Sequence, residues 1–297
     1  MRRLPILGGV LVPNVTPMFE GGVLDLQGYA GVAKQLLDSP GVDGLFAIGA
    51  SGEYVHLNPA KRRELMTVLG GLDRHGKVVV ANAGGLLTAA TLKLAEFAGK
   101  QGLDGVSVVL PTHVPDTRED ILDYYREVGR VGVPFMVYRP STVTTHGLTP
   151  ELVECLLEIP TFVGLKDSSK DLELFAVLCA RFGGQVSVIQ GVEMLHLPAL
   201  ALGGAGVIGG GANVYPGLLK RLSVAFEAGD LERARKLQLA VIEAWAFLAD
   251  SGHFRSLVKA LWQDQGCATG TFSLCDGPVT VSAPELARAR ELLDLGE

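Results

Sequence analysis

The sequence has no Cys-x-x-Cys pair, no His-Glu-x-x-His and no His/Cys cluster at metal-ligand spacing, although its 297 residues include four cysteines and six histidines. Cys155, Cys179, Cys267 and Cys275 are scattered. That distribution fits a reducing cytoplasm better than a disulfide scaffold, and no metal is expected. Basic clusters are also missing. Asp and Glu outnumber Lys and Arg by 32 to 26, a formal net charge of −6, so a nucleic-acid or anionic-membrane partner is disfavoured. Charged residues make up only 20% of the chain and hydrophobic ones 48%. That balance supports a large core and argues against disorder.

Two charge-free runs resemble export or membrane signals. Arg2 and Arg3 precede the run from Leu4 to Phe19. Pro5, Gly8, Gly9 and Pro13 interrupt it and no small-residue cleavage site follows, so it reads as a buried strand. The run from Leu197 to Leu219 carries seven glycines and two prolines, poor material for a membrane helix.

What is present is alternation. Short apolar runs, expected as strands, lie at Gly9–Val15, Gly44–Ile48, Val78–Ala81, Gly105–Leu110, Pro134–Tyr138, Phe162–Lys166, Val186–Gln190 and Gly206–Ile208. Their starts are spaced by roughly 20 to 35 residues, about one βα unit. The segments between them have helical character. Asn58 and Pro59 mark one start, Asp116–Val131 has acidic residues in its first turn, and Asp167, Ser168 and Ser169 stand where a helix ending near Phe182 needs a cap. Strands without polar alternation are those of a parallel sheet covered on both faces. The expectation is an α/β fold, a (β/α)8 TIM barrel over residues 1–229, with a helical C-terminal extension over 230–297. An open doubly wound sheet is the alternative. It is weakened because Val12-Pro13-Asn14, not a GxGxxG, follows the first strand.

Barrel enzymes place reactive groups at the C-terminal ends of strands. Lys166 closes an apolar strand; burial there lowers an amine's pKa and leaves it able to attack a ketone. A lysine paired with an acid, or snorkelling at the rim, also fits that position. Tyr138 ends the preceding strand, either as a proton carrier or as a core tyrosine. Gly49-Ala50-Ser51-Gly52-Glu53 can turn backbone N–H groups toward an anion or be only a tight turn. Gly209-Gly210-Gly211 leaves room for a ligand or for close packing.

Taken together these residues resemble the dihydrodipicolinate synthase / N-acetylneuraminate lyase family of pyruvate-handling barrels. The resemblance rests on Pro13 with Thr16-Pro17, the Gly49–Glu53 turn, Tyr138, Gly164-Leu165-Lys166-Asp167-Ser168-Ser169, Gly191 and Ala205-Gly206-Val207-Ile208-Gly209. It implies that Lys166 forms an imine with a 2-oxo acid and that Tyr138 relays protons. Ser51, with the N–H groups of Ala50 and Ser51, would hold the carboxylate. Gly191, Glu193, Ile208 and Gly210 would line the remainder of the substrate site. It also implies a homo-oligomer, tetramer or dimer, with no cofactor.

The departures from the family pattern bear on substrate. Ala50 replaces a hydroxyl residue. His113 stands where a relay tyrosine is usual. Val143 occupies the place of the synthase's carboxylate-binding arginine, with Arg139 nearby. Only Glu193 remains of the lyase's acidic pair. The expected activity is therefore a lyase or aldolase acting on pyruvate or a 2-keto-3-deoxy acid. The alternatives are dihydrodipicolinate synthase, a keto-deoxy acid dehydratase and a non-catalytic carboxylate-binding barrel.

Overall fold

The computed structural model describes residues 7–85, 87–141 and 148–294. Eight parallel strands close into a barrel in sequence order: β1 (Gly9–Val12), β2 (Gly44–Ala47), β3 (Val78–Asn82), β4 (Gly105–Val108), β5 (Phe135–Arg139), β6 (Phe162–Asp167), β7 (Ser187–Gln190) and β8 (Gly206–Val207). Closure occurs where Gly9 pairs with Gly206 and Val10 with Val207. The expected barrel is therefore the fold. β1 stops at Val12, three residues before its expected end. Pro13 has no N–H to donate, and Asn14 turns back onto the Val12 carbonyl at 2.9 Å.

Helices cover the outside: α1 (Leu26–Asp38), α2 (Pro59–Gly70), α3 (Thr88–Lys100), α4 (Arg118–Arg130), α5 (Pro150–Leu156), α6 (Leu172–Phe182), α7 (His196–Ala201) and α8 (Pro216–Glu227). Asn58 caps α2 by accepting from Lys61 N–H at 3.0 Å. Two starts differ from the sequence reading. Thr117 caps α4, so that helix begins at Arg118 rather than Asp116. Asp171, not the Asp167–Ser169 run, caps α6. Asp167 belongs to β6, and its carboxylate is taken by the Ser169 N–H and hydroxyl, both at 2.9 Å. The Leu197–Leu219 run is divided among α7, β8 and α8. Among the described residues no helix is long and apolar enough to cross a membrane.

The C-terminal helices α9 (Leu231–Asp250), α10 (Phe254–Asp264) and α11 (Ala283–Asp294) pack on this frame. α9 lies against α8 and against the short turn Glu193–Leu195. Two buried acids of the barrel reach into the extension. Asp25 accepts the N–H groups of Thr269 and Gly270 at 2.9 and 2.8 Å. Glu53 pairs with Lys259 of α10, both side chains fully buried, and accepts from the Ser273 hydroxyl and Cys275 N–H at 3.1 and 3.0 Å.

Removing one partner of such a pair leaves an uncompensated buried charge. Lys259→Met is expected to cost about 3–5 kcal/mol in denaturant unfolding, and the Glu53→Gln/Lys259→Met double variant to regain much of it. Equal losses in single and double variants would show that the pairing is not what Lys259 contributes.

Candidate active site

Parallel pairing of β5 with β6 sets Tyr138 directly beside Lys166. Both side chains are buried, at 4% and 3% exposure, and both line the cavity at the barrel mouth. Lys166 Nζ lies 4.4 Å from the ring centroids of both Tyr138 and Phe46. Those rings meet edge to face at 5.4 Å. Aromatic faces favour an ammonium, yet loss of hydration is the larger effect. Burial brings the Lys166 amine down to about 7, against the opposing pull of Glu193. Burial also raises the Tyr138 phenol, helped by nearby Tyr54 and opposed by the neighbouring Ser168 hydroxyl and the Arg255 charge. The phenol therefore stays protonated at neutral pH.

The turn after β2 is strained. Ile48, a β-branched residue, adopts φ 57° and Glu53 φ 61°; left-handed backbone of this kind persists only where its surroundings enforce it. Three contacts do so. The Thr16 hydroxyl donates to the Gly52 carbonyl at 2.9 Å, Lys259 holds Glu53, and Arg255 Nε donates to the Ala50 carbonyl at 3.2 Å. Among the described residues, no acceptor takes the N–H of Ala50 or of Ser51. Two unclaimed donors in one turn suit an anion.

Glu193 follows β7 and is fully enclosed. Its Oε1 accepts Gly211 N–H at 2.5 Å. A Cβ on Gly209 would fall 2.5 Å from its carboxylate and one on Gly211 2.8 Å, so these glycines make the notch that holds it. Gln238 of α9 donates to the Glu193 carbonyl at 3.2 Å. Burial pushes the carboxyl up, while the backbone N–H groups of Glu193 itself and Gly211, and the Lys166 charge, oppose that shift.

A cavity of about 290 Å³ joins these groups, near the lower end of the ~300–1,000 Å³ usual for small-molecule sites. Lys166, Tyr138, Ala50, Ser51, Gly191, Glu193, Ile208 and Gly210 all line it. His113 does not. It is exposed, with Nε2 3.2 Å from the Thr88 hydroxyl, so within one chain it is outside the cavity. Arg139 also lies elsewhere, its Nη1 3.9 Å from Asp167 Oδ1. Val143 falls outside the described residues. Among the described residues, no group of three or more His, Cys, Asp or Glu side chains could hold a metal ion.

Sequence reasoning missed Ser168 as a neighbour of Tyr138 in the cavity wall. It also missed Lys170, Trp245, Phe254 and Arg255 as lining residues. Trp245 and Phe254 pack at 5.5 Å and approach Gly210, where a Cβ would come within 3.2 Å of both rings. No local motif marks the α9 and α10 residues, because only packing of the extension brings them to the barrel mouth.

The sequence profile of the dihydrodipicolinate synthetase family matches residues 6–287. An uncharacterized DapA-like lyase of Halobacterium salinarum is 35% identical over 257 residues, 86% of this chain and 83% of its own length. A 4-hydroxy-tetrahydrodipicolinate synthase of Anaeromyxobacter dehalogenans is 30% identical over 298 residues, covering 99% of this chain and 97% of its own. Among solved structures, CdNal from Clostridium difficile in complex with mannosamine superposes with a TM-score of 0.89 at 20% identity, covering 98% of this chain and 99% of its own. YagE from E. coli in complex with pyruvate gives 0.86 at 24% identity, covering 98% of both chains. These likenesses confirm the fold.

A buried amine with a depressed pKa costs stability wherever it is charged in the unfolded chain. Lys166→Met removes that cost and is expected to raise the melting temperature at low pH. Because the folded amine titrates near 7 and the unfolded one near 10.4, wild-type stability rises with pH between those values. The advantage of the variant should therefore be larger at pH 6 than at pH 9, as read from melting curves at both. A pH-independent gain would count against a buried, neutral amine.

Proposed function

The chain belongs to the dihydrodipicolinate synthetase family, and on that premise we propose that it is an imine-forming lyase whose Lys166 acts on pyruvate or a 2-keto-3-deoxy acid. The observation that carries this reading is the buried amine at the end of β6, with its pKa near 7, beside a protonated phenol. The neutral amine attacks C2 of the 2-oxo acid, and loss of water gives the imine. Once protonated, the imine accepts the electron pair of the C3–C4 bond. The fragment beyond C3 leaves as an aldehyde as its hydroxyl gives up a proton, and an enamine remains on Lys166. Protonation of the enamine at C3, followed by hydrolysis, returns pyruvate and the free amine.

Tyr138 is assigned the proton transfers. A phenol this hard to ionise acts by passing protons, with the Ser168 hydroxyl nearby, rather than by resting as a phenolate. Ser51 and the N–H groups of Ala50 and Ser51 hold the substrate carboxylate, which fixes C2 over Lys166. Glu193, Gly191, Ile208 and Gly210 bound the part of the substrate beyond C3. In this reading the barrel of residues 1–229 and the extension of 230–297 form one catalytic unit, since α10 braces the carboxylate-binding turn. A relay through His113 would require a second copy of the chain. The likeness to a synthase along nearly the whole chain supports a second reading, condensation of pyruvate with an aldehyde. Val143, in place of that enzyme's carboxylate-binding arginine, weighs against it.

Borohydride reduction in the presence of pyruvate is expected to fix a pyruvate adduct on Lys166, found by mass spectrometry and absent from Lys166→Ala. The trapping rate should climb through pH 7 as the amine loses its proton. Release of pyruvate from keto-deoxy acids, against its consumption with an aldehyde, separates lyase from synthase. No adduct with any of several 2-oxo acids would leave a binding protein as the better description.

A further inference from the structure

The cavity has two unlike walls. Its hydroxyl and amine groups follow β2 (Ser51), β5 (Ser141) and β6 (Ser168 and Lys170) or end β6 (Lys166). The wall after β7 and β8 is apolar: Val192, Met194 and Ile208 line it, with Gly210. Trp245 of α9 and Phe254 of α10 complete it, their ring centroids 5.5 Å apart. A Cβ on Gly210 would come within 3.2 Å of Phe254 Cζ and of Trp245 Cζ3. Any side chain at position 210 would therefore cover these ring edges, and glycine leaves them bare.

The charged groups nearby are already engaged. Glu193, the carboxyl group on this wall, is fully enclosed in its glycine notch, with Oε1 taken by the Gly211 N–H at 2.5 Å. Arg255 follows Phe254 in α10, but its Nε is turned onto the Ala50 carbonyl at 3.2 Å. Its charge belongs to the carboxylate-receiving turn. Val192, Met194, Trp245 and Phe254 are each only half-buried, so their apolar surface is open to whatever enters. A row of hydroxyls laid along this wall would give up water for few new partners. An aromatic ring would bury apolar area and pack against two other rings.

We propose that Val192, Met194, Trp245 and Phe254 form a specificity-determining subsite for an aromatic ring carried at C4, so that the substrate is a 4-aryl-4-hydroxy-2-oxo acid rather than a polyhydroxy one. This rests on the Lys166 reading above, which gives the β7–β8 side of the cavity to the substrate beyond C3. Cleavage then releases an aromatic aldehyde. The C4 hydroxyl gives up its proton, the C3–C4 electron pair passes to the protonated imine, and protonation at C3 with hydrolysis returns pyruvate.

The test compares probes alike at C1 to C3. Wild-type kcat/KM should favour 4-hydroxy-2-oxo-4-phenylbutanoate over 2-keto-3-deoxygluconate by at least about tenfold, carried by KM. The uncleavable 2-oxo-4-phenylbutanoate lacks the C4 hydroxyl. It should saturate borohydride trapping at about a tenth of the concentration that 2-oxobutanoate needs. Trp245→Leu and Phe254→Leu should each reduce both preferences about 3- to 30-fold. Val192→Ser, a smaller change, should move them the same way, and it keeps the test open if the ring variants fail to fold by circular dichroism. A wild type that prefers the deoxygluconate, or folded variants that leave the ratios unchanged, would overturn the inference. Borohydride trapping of wild type with pyruvate runs alongside. A pyruvate adduct without aryl preference removes this subsite alone, whereas no adduct removes the imine reading as well.

Discussion

At the end of β6 an ammonium ion would have to surrender its hydration shell between two aromatic rings and a carboxyl group that is itself pushed toward neutrality. Keeping a charge there is costly, so the amine is held near the point of losing its proton. The rest of the architecture serves that constraint. Parallel strands buried on both faces exclude water from the barrel interior, and register between β5 and β6 puts a phenol beside the amine. Glycines after β8 make room for a carboxyl group that a single added methyl would displace.

The second requirement is rigidity where the substrate carboxylate is received. A turn carrying left-handed Ile48 and Glu53 is not stable by itself. The extension stabilises it through a buried ion pair and an arginine bonded to its backbone. α10 therefore braces the receiving end of the cavity twice, through Lys259 on Glu53 and through Arg255 on the Ala50 carbonyl. Barrel and extension are coupled by buried polar contacts as well as by apolar packing, and buried polar contacts tolerate little displacement.

Much of this was readable in advance because it is periodic or positional. Continuous apolar runs at regular intervals disclose a parallel barrel, since each strand must be covered on both sides. Lys166 and Tyr138 stand out because strand ends are where barrel side chains emerge. The errors were local. Asp167 was read as a helix cap, but the strand continues through it and Asp171 caps four residues later.

By itself the amino-acid order determined the succession of strands and helices, the placement of one lysine and one tyrosine on neighbouring strand ends, and the glycine positions where bulk is forbidden. These follow from short-range rules: periodicity, burial and the space a side chain fills. Only the tertiary structure decided which groups share the cavity with them. Ser168, Phe254, Arg255 and the brace of Lys259 on Glu53 are set by packing between segments as many as 206 residues apart. No spacing rule records such contacts, because they depend on how the extension settles against the closed barrel.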